Sequence, residues 1–256
     1  MKTLAILQAR MSSTRFPGKV LSDLEGKPMV MRQIERISRA ATLDGIVVAT
    51  STDSTDDKLT NILHSGGIKV VRGDLDNVLE RFIKVIELYK PDTVVRLTGD
   101  CPLASWTVID TVVDRFHEGD VEYASNTLTP TYPDGLDVEV VRADVLRDVA
   151  ATSQDVAEKE HVTLGVYRRP DRYRVVNVTG DRDLSGLRWT VDNPEDFAFV
   201  REIYRELHRA NPEFDVPEIL DYLERHPERS RTSADATRNA ALKGLYLGAM
   251  TTLPED

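Results

Sequence analysis

Short apolar runs alternate with amphipathic stretches through the first hundred residues, and this alternation constrains the fold more than any other feature. Runs at 4–7, 45–50, 68–71 and 93–97 are too short and too uniformly apolar for surface strands, as expected of parallel strands buried on both faces. Between them, 28–38, 54–65 and 75–89 place apolar residues at helical spacing, as at Val78, Leu79, Phe82, Ile83 and Ile86. Strand–helix repetition of this kind calls for a right-handed, doubly wound α/β sheet. Ligands of such sheets bind beyond the carboxyl ends of the strands. The residues that follow each apolar run are therefore the first place to look for chemistry.

The first such edge carries the densest signal. The run Leu4-Ala5-Ile6-Leu7 stops at Gln8, and Ala9-Arg10-Met11-Ser12-Ser13-Thr14-Arg15-Phe16-Pro17-Gly18-Lys19 follows. Ser12, Ser13, Thr14 and Gly18 allow backbone N–H groups to turn toward a ligand, and Arg10, Arg15 and Lys19 can neutralise a polyphosphate. The loop reads as a triphosphate cradle, against the plainer reading of a solvated turn. Neither G-x-x-x-x-G-K-[ST] nor G-x-G-x-x-G occurs, so it is neither a P-loop nor a dinucleotide fingerprint.

Two further edges carry acids. Arg96-Leu97-Thr98-Gly99-Asp100-Cys101-Pro102 puts a carboxylate after the fourth run, suited to Mg²⁺ or else to capping the helix expected over 104–117. Leu187-Arg188-Trp189-Thr190-Val191-Asp192-Asn193-Pro194-Glu195-Asp196 reads as another strand ending in an acid. Glu195 and Asp196 are accounted for by helix initiation behind Pro194, which leaves Asp192 as the ligand candidate. Between these lie helices over 143–149 and 154–167, strands over 121–124 and 173–178, and a Pro-Asp-Gly turn leading into Leu136-Asp137-Val138-Glu139-Val140. The alternation there suggests a strand whose acidic face, Asp137 and Glu139, meets solvent or the substrate side. His161 is a core polar residue, a substrate contact or an acid/base group. Helices are expected over 197–210, 216–225 and 239–250, with a loose polar segment over 226–235.

Composition bounds the class. The 256 residues carry a net charge of −10, which argues against non-specific nucleic-acid binding. The single cysteine, Cys101, excludes a disulfide framework or a cysteine zinc site of the usual type. No run is long enough to span a membrane and the N-terminus enters a strand directly, so a cytoplasmic protein is expected.

Taken together these motifs resemble the cytidylyltransferases of sugar-acid activation, the CMP-ketodeoxyoctonate and CMP-acylneuraminate synthetases, and most of all their spore-coat polysaccharide branch. The resemblance also rests on Arg72-Gly73-Asp74 with Asp76-Asn77-Val78-Leu79-Glu80-Arg81, on Tyr132-Pro133-Asp134-Gly135, and on Glu160-His161-Val162-Thr163, and spans residues 3–225. The first motif departs at Leu7-Gln8, where the sugar-acid synthetases tend to have a proline. The resemblance implies a three-layer α/β/α fold of the nucleotide-diphospho-sugar transferase (GT-A) type, with a mixed, mainly parallel sheet. It further implies a nucleotidyltransferase domain over 1–225, an inserted dimerisation arm within 125–180, and a tail with a short helix over 226–256. By the same resemblance CTP is the donor, Mg²⁺ the cofactor, and a small acidic compound the acceptor in a homodimeric enzyme of surface polysaccharide synthesis. Catalysis would fall to Lys19, Arg15 and Asp100, and Asp100 and Asp192 would hold the metal. Leu7, Ala9, Arg10, Ser12, Ser13, Arg15, Lys19, Thr50, Ser51, Arg72, Gly73, Thr98 and Gly99 would bind the nucleotide, and Asp137, Glu139 and His161 the acceptor. Two rivals stand beside this reading. One is a glycosyltransferase, for which Asp74-Leu75-Asp76 formally supplies the Asp-x-Asp metal motif; the other is a non-catalytic nucleotide-binding protein.

Overall fold

The computed structural model describes residues 1–232; the helix expected over 239–250 lies outside them. Strand β1 (Thr3–Gln8) is an interior strand, third from one edge, of a seven-stranded sheet. A two-strand hairpin, β2 (Asp23–Leu24) with β3 (Lys27–Pro28), leads into α1 (Met29–Ile37). Then follow β4 (Gly45–Ser51), α2 (Asp57–Ser65), β5 (Lys69–Gly73), α3 (Val78–Tyr89), β6 (Thr93–Thr98) and α4 (Trp106–Glu118). The second half adds β7 (Tyr123–Ser125), β8 (Glu139–Arg142), α5 (Ala143–Thr152), α6 (Val156–Glu160), α7 (Leu164–Tyr167), β9 (Val175–Asn177), α8 (Pro194–Leu207) and α9 (Val216–Arg225).

The sheet order is β5-β4-β1-β6-β8-β7-β9. The first four strands are mutually parallel, β8 runs antiparallel to both neighbours, and β9 is parallel to β7. The single reversal arises because β7 is placed one position out and β8 returns between it and β6. As a result the loops 9–18, 99–105, 126–138 and 178–193 all emerge at the edge where β1 ends.

Alternate residues of β1 feed two cores, as the period of a strand requires. Ala5 and Leu7 pack with α1, α4, α8 and α9 on one face, while Leu4 and Ile6 pack with α3 and α5 on the other. The mainly parallel three-layer architecture is therefore as expected. The segment 125–180 supplies strands β8 and β9, and its helices α5, α6 and α7 lie against α3 and one another.

Three local expectations are corrected. The helix expected over 154–167 breaks into α6 and α7 at His161–Thr163, where Val162 takes φ 31° and the Thr163 hydroxyl donates to Glu139. Residues 187–191 form no strand; they are held by single bridges, Arg188 to Asp134 and Leu187 to Thr232. The described part of the 226–235 segment is not loose, because Arg231 pairs with the buried Asp196 and its carbonyl accepts from Arg188 N.

Candidate active site

The loop after β1 is fixed from within. The Met11 carbonyl accepts from both Ser13 N and Gly18 N at 2.9 Å, and Met11 N donates to Asp56 at 2.6 Å. Gly18, at φ 74°, adopts the left-handed conformation that turns the chain into the short 3-10 turn Lys19–Leu21. Phe16 packs edge-on against Phe197 of α8, with ring centroids 5.8 Å apart. Next to this loop, Gly99 N donates to Gln8 O at 2.8 Å, and a Cβ at Gly99 would lie 2.8 Å from the Ala9 Cβ. Glycine is what lets the ends of β1 and β6 close up.

Lys19 is the centre of the arrangement. Its ammonium is nearly buried, donates to the Val191 carbonyl at 2.6 Å, and lies 3.4 Å from Asp192 Oδ1 and 3.6 Å from Asp100 Oδ2. Arg15 reaches the same Asp192 oxygen at 2.9 Å. The other oxygen of Asp192 accepts from Arg188 at 2.8 Å. Arg188 is itself buried among Asp134, Asp192 and Asp196, and although burial disfavours its charge, the bonds from Asp196 and Asp192 raise its pKa above the ordinary value. Asp196 also closes a reciprocal capping box with Asn193 at the start of α8. The acid loop is tied to Asp100 as well, since Val191 N donates to the Asp100 carbonyl at 2.8 Å. Burial pushes the Asp100 carboxyl up, but Lys19 and bonds with Thr98 and Cys101 outweigh it and hold the group below its usual range. It is an anion at neutral pH.

Beside this cluster opens a cleft of about 370 Å³, lined by Gln8, Ala9, Arg10, Ser12, Ser13, Thr14, Arg15, Lys19, Thr98, Gly99, Asp100, Glu160 and His161, with Val78 and Arg81 from α3. The structure thus brings most of the expected loop residues, Asp100 and His161 to one place, and Asp192 joins through Lys19 and Arg15. Burial lowers the His161 pKa below 6.5 against the opposing charge of Glu160, so the imidazole is neutral at pH 7.

Other expected residues stand apart. Leu7 is wholly buried, and its side chain belongs to the core. Thr50 and Ser51 are buried, and the Ser51 hydroxyl donates to Asp56. Arg72 is committed to Ser51 O, Asp53 O and Asp57 at 2.7–2.9 Å, bracing the ends of β4 and β5. Asp137 borders a separate small cavity with Gln33 and Cys101. Glu139 is corrected outright as a solvent- or acceptor-facing acid. It is buried and ion-paired with Arg96, and accepts from the Tyr123 and Thr163 hydroxyls, because β8 is inserted inside the sheet rather than at its edge. Asp74, of the formal Asp-x-Asp, accepts from Asp76 N and Asn77 N and serves the turn into α3.

Sequence reasoning missed Arg81 and Arg188. Arg81 had a signal, an arginine inside the apolar stripe Val78, Phe82, Val85 of α3. Arg188 had only its place four residues before Asp192.

A mixed sheet with a cationic loop and two acids at its carboxyl edge defines a nucleotidyltransferase type of site. The sequence profile of one family, described as cytidylyltransferase, matches residues 4–226, and the chain belongs to that family. It is 34% identical over 234 residues to the spore coat polysaccharide biosynthesis protein SpsF of Bacillus subtilis, covering 88% of this chain and 95% of that one. An 8-amino-3,8-dideoxy-manno-octulosonate cytidylyltransferase of Shewanella frigidimarina is 36% identical over 132 residues, 49% of this chain and 52% of its own. Among solved structures, a cytidylyltransferase from Leptospira borgpetersenii superposes with a TM-score of 0.85 at 27% identity, covering 90% of this chain and 96% of that one.

Proposed function

We propose that this cytidylyltransferase transfers CMP from CTP to a small acidic acceptor, a sugar acid or related hydroxy acid, with release of pyrophosphate, as a Mg²⁺-dependent cytoplasmic homodimer. The observation that carries the reading is the convergence of Asp100 and Asp192 on the Lys19 ammonium beside the cleft. The names of the octulosonate relative and of SpsF support an acidic sugar acceptor in surface polysaccharide synthesis.

In this reaction an acceptor oxygen bonds to the α-phosphorus as the bond to pyrophosphate breaks, so the protein's share is placement and charge. The loop 9–18 holds the triphosphate with Arg10, Ser12 and Ser13. Lys19 and Arg15, each already next to an acid, turn to the phosphate oxygens and offset the charge of the leaving pyrophosphate. Asp100 and Asp192 fit Mg²⁺, which is commonly held by one or two carboxylates plus substrate phosphates. When bound it would supply Lewis-acid polarisation of the phosphate. Among the described residues no group of three or more His, Cys, Asp or Glu could hold a metal ion; with these two carboxylates, nucleotide oxygens would complete the ligand set. Neutral His161 offers a ring nitrogen to the acceptor's hydroxyl.

The test is pyrophosphate release from each of the four nucleoside triphosphates with Mg²⁺, against a panel of sugar acids and phosphonates. Release from CTP alone, dependent on one acceptor and abolished by EDTA, is expected. Transfer of a sugar from a sugar nucleotide, without pyrophosphate release from CTP, would replace this reading with a glycosyltransferase.

A further inference from the structure

Four cations line the cleft, and they are not equivalent. Arg15 and Lys19 are ion-paired with Asp192 and Asp100. Arg10 and Arg81 make no ion pair within 4 Å among the described residues. Arg81 is the unusual one. It is only 2% exposed, yet its Nε and Nη1 have no hydrogen-bond partner. A buried guanidinium without acceptors is costly, and a native protein keeps one where a ligand completes it. Both burial and the neighbouring Arg10 lower the Arg81 pKa, outweighing the charges of the nearby acids.

The surroundings keep this guanidinium in place. Arg81 lies on the core-facing side of α3, one turn after Val78, which also lines the cleft. Room for its stem comes from Gly73 at the end of β5, where a Cβ would stand 2.7 Å from Arg81 Cγ. The acids that face it by charge are Asp56, Asp74 and Glu80, and each is engaged elsewhere. Asp56 accepts from Met11 N and Ser51 N, Asp74 from Asp76 N and Asn77 N, and Glu80 pairs with Lys84.

We propose that Arg81 and Arg10 form a phosphoryl clamp, in which the buried Arg81 donates through Nε and Nη1 to the oxygens of one phosphate in the pyrophosphate half of the nucleoside triphosphate. This rests on the proposed transfer reaction for the identity of the ligand. A guanidinium presents parallel donors that match two oxygens of one phosphate, a geometry that an ammonium does not reproduce. Arg10 closes the other side from the loop, so the anion neutralises two charges that otherwise repel. An acceptor carboxylate shares the same chemistry, and the test separates the two sources.

Binding of pyrophosphate, CTP and CMP is measured by calorimetry for the wild type, Arg81→Gln and Arg81→Lys, together with KM for CTP and for the acceptor. The expected result is a loss of about 10- to 100-fold in pyrophosphate and CTP affinity for Arg81→Gln, the scale of charged hydrogen bonds removed. CMP binding is expected to change little, and Arg81→Lys, which keeps the charge, to lose several-fold. A folded Arg81→Lys protein with wild-type pyrophosphate affinity and KM for CTP overturns the clamp. So does a defect confined to the acceptor's KM, which would assign Arg81 to the acceptor carboxylate. Pyrophosphate binding is read without turnover, so a wild type that binds pyrophosphate but transfers no CMP defeats the proposed reaction and leaves the clamp to be judged on its own.

Discussion

At the scale of single residues, Lys19 does the most, because one ammonium meets a backbone carbonyl and two carboxylates from different loops. Lys19→Ala and Asp100→Asn are each expected to lower kcat by on the order of 10²–10³, the scale of one lost charge-stabilising group. Steady-state turnover with CTP checks this, and near-wild-type rates in either variant would remove the pair from the reaction. His161 gives a test by pH. Its folded pKa lies below 6.5 through burial, so the folded protein binds a proton less readily than the unfolded chain. Its contribution to stability is complete above about 6.5 and is lost as the pH falls through the lower folded value. The melting temperature of His161→Asn is therefore expected to drop less than that of the wild type between pH 7.5 and 5.5. The cations of the first loop were legible because they follow an apolar run directly. Arg188 and Glu139 were not, because their partners come from segments far along the chain, such as Asp134 for Arg188 and Arg96 for Glu139.

At the scale of elements, the parallel strands and the helices that cover them were readable from period alone, and α9 spans the expected 216–225. Ambiguity began where tertiary partners override local pattern. The apolar run at 187–191 pairs backbone with Asp134 and the chain near 231 instead of a sheet neighbour, so it supports Asp192 without being a strand. Gly135 shows how tightly this segment is seated. Its φ is 110°, and a Cβ there would lie 2.6 Å from Thr190 N and 2.7 Å from the Trp189 carbonyl carbon. Gly135→Ala is expected to cost about 1–3 kcal/mol from backbone strain alone. It should also displace Thr190 and with it Asp192, lowering kcat more than KM. Urea unfolding and steady-state kinetics together check both effects. A variant as stable as the wild type but equally active would show that the 187–192 segment tolerates displacement and that Asp192 is not placed by it.

At the scale of the whole molecule, a core lies on either face of one sheet, and the cleft draws on both. The loop 9–18 and Asp100 come from one side, and α3 with the α6–α7 break from the other. A nucleotide seated there ties together segments from both faces of the sheet. It binds the folded state alone, so at a hundredfold excess over Kd it adds about 2.7 kcal/mol to stability. For a chain of this size, each 1 kcal/mol moves the melting temperature by about 2–4 °C. CTP with Mg²⁺ is thus expected to raise the transition by roughly 5–10 °C, and UTP, ATP and GTP at the same concentration by much less. The acidic body, at net charge −10, offers no general affinity for polyanions, so the shift reports the cleft. Equal shifts from all four nucleotides would mean that the site reads the triphosphate and not the base, and would withdraw CTP as the donor; a shift with CTP that persists in EDTA would separate nucleotide binding from the metal.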